Sequence, residues 1–137
     1  MKTPKWQLEL ERLARKSGGV LDPVNVVAAA TNPKSPLHDK FTWDDSEAAI
    51  QHRLWQARQL IRVVVRMVPN TDVQERVWVS LSNDRGAGGY RALVDVLSDD
   101  EMRFQLLAEA KAEFQVFRAK FGRLQELAGV FAEMEKV

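Results

Sequence analysis

Between residues 48 and 91 the chain holds seven arginines, no lysine and only three acids, Asp72, Glu75 and Asp84. Residues 1–47 balance seven bases against seven acids and residues 92–137 sum to −3, so the overall charge of +1 conceals a middle segment at +4. A guanidinium is planar, permanently charged and able to bond a phosphate through two parallel N–H groups, so an all-arginine segment is chemically suited to a phosphate backbone. A solvated surface whose charge serves solubility is the competing reading. The candidate nucleic-acid-binding set is Arg58, Arg62, Arg66, Arg76, Trp78, Arg85 and Arg91. If strands alternate through this region, Arg62, Arg66, Arg76, Trp78 and Arg91 share the sheet face opposite the apolar one. Arginines beside an exposed aromatic ring supply the backbone and stacking contacts that RNA or single-stranded DNA requires. The alternative pairs Arg91 or Arg76 with Asp95 and packs Trp78 under a helix, and the residues alone leave both open.

Other chemistry is sparse. The absence of cysteine excludes disulfides, thiolate metal sites and cysteine nucleophiles. His38 and His52 fall in different elements and neither has a second ligand at helical spacing, so no metal site or cofactor is expected. His38-Asp39 is a candidate general-base pair, and a small enzyme built on it is the weakest of three functional readings. Gly86-Ala87-Gly88-Gly89 matches neither phosphate-binding glycine fingerprint and joins two expected strands, which favours a hairpin turn. The acidic clusters Asp44-Asp45-Glu47 and Asp99-Asp100-Glu101 sit at expected helix starts, where capping and the helix dipole account for them.

The elements that must position these groups read as an α+β arrangement in one domain: N-terminal helices over residues 1–62, a three-stranded antiparallel β-meander over 61–97 and a long C-terminal helix over 98–137. With 137 residues, 45% hydrophobic and 28% charged, the chain is long enough to bury a core without staples. Trp6, Leu10 and Leu13 line one side of a helix over 5–16, ended by Ser17-Gly18-Gly19. Asp22-Pro23 starts a second helix through Ala30, with Asp as cap and Pro at its first position. Asp44 with Glu47 predicts a capped third helix burying Ile50, Leu54, Ala57 and Ile61. Strands are expected over 61–68, 75–82 and 90–97. Ser98 with Glu101 forms a capping box for the last helix, whose first half is the nearest cover for the sheet.

That helix carries an apolar seam of Leu107, Ala110, Phe114, Phe117, Phe121, Leu124, Ala128 and Phe131 at steps of three and four. Unbroken, it would extend on the order of 55 Å, beyond the roughly 30 Å breadth of such a domain. Either it breaks near Gly122 or Gly129, or its distal half packs on another copy. The second option makes Phe117, Phe121, Leu124, Ala128 and Phe131 a candidate oligomer interface and predicts a homo-oligomer. The N-terminal stretch lacks an apolar run of signal-peptide length and no later stretch approaches about 18 apolar residues, so a cytoplasmic protein without membrane partners is expected.

Pro36-Leu37-His38-Asp39-Lys40-Phe41-Thr42-Trp43-Asp44-Asp45-Ser46 with Gln56-Ala57-Arg58-Gln59-Leu60-Ile61-Arg62, and Gly89-Tyr90-Arg91 with Val96-Leu97-Ser98-Asp99, resemble small proteins encoded in bacteriophages and prophages. The resemblance covers most of residues 20–135. It implies a phage or prophage setting, with the host cytoplasm as location, and carries no activity or functional residue. Together these readings predict a non-enzymatic accessory protein that self-associates and binds DNA or RNA through the arginine-rich middle. The alternative is an assembly or interaction component without nucleic-acid binding.

Overall fold

The structure, a computed structural model, describes residues 2–43, 46–86 and 88–137. Helix α1 (Lys5–Lys16) ends in a turn where Gly18, at φ +67°, adopts the left-handed conformation and the Gly19 amide donates to Ala14 O at 2.7 Å. That geometry closes the last carbonyls of the helix and favours glycine, as Ser17-Gly18-Gly19 anticipates. Strand β1 (Val20–Leu21) follows, then α2 (Pro23–Ala30), whose cap Asp22 accepts a 2.9 Å bond from the Val24 amide. Helix α3 (Glu47–Val63) begins one residue after Ser46, whose hydroxyl accepts from the Ala49 amide. The cap expected at Asp44 lies outside the described residues.

Four further strands follow: β2 (Val65–Met67), β3 (Gln74–Arg76), β4 (Trp78–Val79) and β5 (Tyr90–Ala92). The expected 75–82 strand therefore splits at Val77. Its amide donates to Val64 O and its carbonyl accepts from the Leu93 amide, so both backbone groups of this bend are satisfied. The meander becomes two antiparallel sheets, β2-β3 and β1-β5-β4. Strand β1 pairs with β5 in the register Val20 to Arg91 and Leu21 to Tyr90, while Trp78 lies opposite Ala92 on the other side. The connection from β4 to β5 contains a helical turn, α4 (Ser82–Arg85), besides Gly88 at φ +78°.

The third expected strand is also shorter than its apolar run. Helix α5 (Leu93–Ser98) takes over after Ala92 and buries Val96. Helix α6 (Asp100–Phe121) is capped by Asp99, which accepts from the Met102 amide at 2.9 Å, and not by Ser98, whose hydroxyl donates back to Val94 O. Ser98 closes one helix instead of opening the next.

The chain reverses at Gly122, where a Cβ would lie 2.6 Å from Arg118 O, and returns as α7 (Ala128–Met134). Phe131, 6% exposed, meets the rings of Phe114 and Phe117 at centroid distances of 5.8 and 5.9 Å, and an Arg118–Glu135 ion pair closes the same contact. The last helix is thus broken, and its seam is partly covered by its own chain.

The main core draws on α1, α2, α3 and the sheets: Leu10, Leu13, Leu21, Val26, Leu37, Phe41, Ala57, Ile61, Trp78 and Tyr90 are all buried together. The expectation that α6 would cover the sheet is not met, since none of its residues is buried and it rests mainly against α5. Ile50, expected inside, is exposed. The α+β class stands. No helix among the described residues is long and apolar enough to cross a membrane.

Candidate functional site

Arg58 and Arg62 stand one helical turn apart on α3, so their side chains project from one face. Strand β3 brings Arg76 to the same place, and the α4 turn adds Arg85. These four arginines, with Ser80, Gly88 and Tyr90, line an open cleft of about 440 Å³ that has no carboxylate in its lining among the described residues. Four members of the candidate set, drawn from three separate elements, are therefore brought together.

The cations of the cleft are largely unneutralised. Among the described residues, no hydrogen bond or ion pair engages the guanidinium of Arg58, Arg62 or Arg76. Arg85 reaches Glu109 of α6 at 3.3 Å, and the same carboxylate accepts from the amide and hydroxyl of Ser82. The Ser80 hydroxyl donates to Gly89 O at 2.8 Å, which ties the glycine loop to the cleft wall. Guanidiniums crowded into a concavity repel one another and raise the local potential, so the arrangement favours an anion that spans several of them.

The other candidates are placed elsewhere. Arg91 makes a two-pronged contact with Asp84, Nε to Oδ2 at 2.9 Å and Nη2 to Oδ1 at 3.1 Å. Asp84 is buried, so this pair braces α4 against β5. Arg66 pairs with Glu75 across the β2-β3 hairpin, where the two residues are register partners. Trp78 is 3% exposed and lies in the core. It offers no face to a base, so the aromatic expected beside the arginines is not this one.

The exposed aromatic on the arginine-bearing helix is Trp55, which lies outside the lining of the cleft, on the side of Gln59 and Val63. It precedes Arg58 by three positions and Arg62 by seven, which puts all three on one stripe of α3. Its side chain is 53% exposed, with one side stacked on His52 at 5.6 Å and 17° between planes. The helical spacing was visible in the sequence; the exposure depends on which face of α3 the core takes.

The remaining polar groups have structural partners. His38 Nδ1 bonds Ala30 O at 2.8 Å and its ring stacks on Trp43, whose indole N–H donates to the His38 carbonyl. This fixes the loop after α2. Glu9, outside the cleft, has its carboxyl lowered from the ordinary value by the hydrogen bond from Arg12. No group of three or more potential ligands gathers among the described residues in a way that could hold a metal ion.

Of the expected interface residues, Phe131 is buried against α6, Phe117 and Phe121 meet in a tilted ring contact at 4.9 Å with Phe117 still exposed, and Leu124 and Ala128 are exposed. Phe131 is therefore committed to its own chain. Comparison with known protein families, curated proteins and solved structures gives no match, so the site rests on its own geometry.

Proposed function

We propose that the protein is a non-enzymatic accessory factor, of the bacteriophage or prophage type that residues 20–135 resemble, which binds single-stranded nucleic acid across the α3 face. The observation that supports this reading is the cleft lined by Arg58, Arg62, Arg76 and Arg85, three of them without a protein partner among the described residues. Successive phosphates would bridge the guanidiniums, and an unpaired base would stack on the open side of Trp55. Such stacking contributes about 1–3 kcal/mol per base, and it demands a base released from pairing. Phosphate contacts and stacking carry no base identity, so the expected binding is sequence-tolerant.

The test is fluorescence anisotropy with labelled single-stranded and duplex oligonucleotides of equal length. The reading predicts tighter binding of the single strand, a loss of at least tenfold in the Arg58→Glu, Arg62→Glu double variant, and a smaller loss in Trp55→Ala that spares duplex binding. Unchanged affinity in the double variant, with circular dichroism intact, would refute it. A second reading, an assembly component that binds no nucleic acid, is favoured by the uncovered surface of α6. Absence of binding at low salt would select it.

A further inference from the structure

Helix α6 spans 22 residues, about 33 Å, without one buried residue. Its surface divides into three faces. Met102, Leu106 and Glu109 are half-buried on the side of α5 and α4, and Phe114, Phe117 and Phe121 turn toward α7. The third face, Phe104, Ala108, Ala112, Val116 and Ala119, repeats at steps of four and three and is exposed throughout. Phe104 is 71% exposed and Val116 72%. Apolar residues aligned along a helix in water mark an interaction surface.

Charge identifies what covers it. The first half of α6 carries Asp100, Glu101 and Glu109 against Arg103; the second carries Lys111, Arg118 and Lys120 against Glu113, a net −2 and +2. Setting aside Glu109 and Arg118, which already have partners in their own chain, leaves the same signs. A helix polarised in this way is complementary to itself when reversed, and the opposed macrodipoles add to the preference. A two-fold axis also requires that one patch meet its own copy.

We infer that two copies of this chain pair through the Phe104–Ala108–Ala112–Val116 face of α6, antiparallel, with the two-fold axis at Ala112. In that register Val116 packs on the small Ala108 of the second copy. A larger residue faces a small one, which permits close approach of the helices. The pairing differs from an interface through Phe131, and it does not depend on nucleic-acid binding.

The chain has no cysteine, so single introduced thiols report the register directly. Sedimentation equilibrium of the wild type should show a dimer at high micromolar concentration. Ala112→Glu, which sits on an exposed face and leaves circular dichroism unchanged, should sediment as a monomer. Under mild oxidation Ala112→Cys should form a covalent dimer, because the axis places the two thiols opposite each other. Ala108→Cys and Val116→Cys should each stay uncoupled alone and cross-link when mixed. A wild-type monomer at all concentrations would overturn the inference and leave a different protein as the occupant. A dimer that survives Ala112→Glu, or one in which Phe104→Cys cross-links to itself, would overturn it equally by placing the contact elsewhere or the helices parallel.

Discussion

Removing the Asp84 carboxylate separates bracing from binding. Asp84 is 8% exposed and receives two bonds from Arg91, whose side chain is 30% exposed. Breaking one side of a fully buried ion pair costs about 3–5 kcal/mol, because the orphaned charge stays desolvated. Exposed pairs contribute about 0–1 kcal/mol. With one partner inside and the other partly hydrated, Asp84→Ala should cost about 2 kcal/mol, since Arg91 regains some water. For a chain of this size that corresponds to a fall in Tm of about 5–10 °C. Urea unfolding of Asp84→Ala, Arg91→Ala and the double variant gives the coupling between them, expected at about 1–2 kcal/mol. The functional consequence is equally specific: Arg91→Ala should leave nucleic-acid affinity within about twofold once the folded fraction is corrected, whereas Arg58→Ala should cost more. A coupling below about 0.5 kcal/mol, together with a loss of binding in Arg91→Ala as large as in Arg58→Ala, would refute the assignment of Arg91 to the brace.

Two further outcomes follow from packing. Trp78→Ala, at a core position, should cost about 3–5 kcal/mol and lower the cooperative unfolding transition as a whole; a variant of unchanged stability that binds nucleic acid poorly would return Trp78 to the surface. Phe131→Ala should free α7 from α6 locally. Amide exchange over residues 128–134 should then accelerate while the protection of α1–α3 stays as in the wild type, and a global loss of protection would contradict a contact confined to the C-terminal hairpin.

The parts of this fold that local chemistry determines could be read from the residues. Helix α1 spans the expected residues, Asp22-Pro23 caps α2 as its types predict, and Gly122 is where the long apolar repeat turns. What escaped was decided at a distance. Strand β1 is two residues long and pairs with β5 about 70 positions away, so no periodicity could announce it. The run Leu93-Val94-Asp95-Val96-Leu97 suits strand or helix alike, and burial of Val96 on a helical turn settled the choice for residues 93–98. The site shows the same division. Charge segregation pointed to the arginines, and four of them do share a cleft. Yet Trp78 departs from its expected place, because the bend at Val77 turns it into the core, whereas Trp55 stays outside because the core takes the expected Ala57–Ile61 face of α3. The C-terminal seam was legible as apolar, but its partner is in part α7, brought back by a turn that sequence spacing left undecided.

The most direct test of the account is the salt dependence of single-strand binding by the wild type. If the phosphates of a single strand engage the four cleft arginines, the logarithm of the affinity should fall linearly with the logarithm of salt concentration at a slope of about −3. The Arg58→Glu, Arg62→Glu variant should bind more weakly with a slope shallower by at least one. A slope near zero in the wild type, or no binding at the lowest salt, would contradict the central claim that the arginine cleft is a nucleic-acid site.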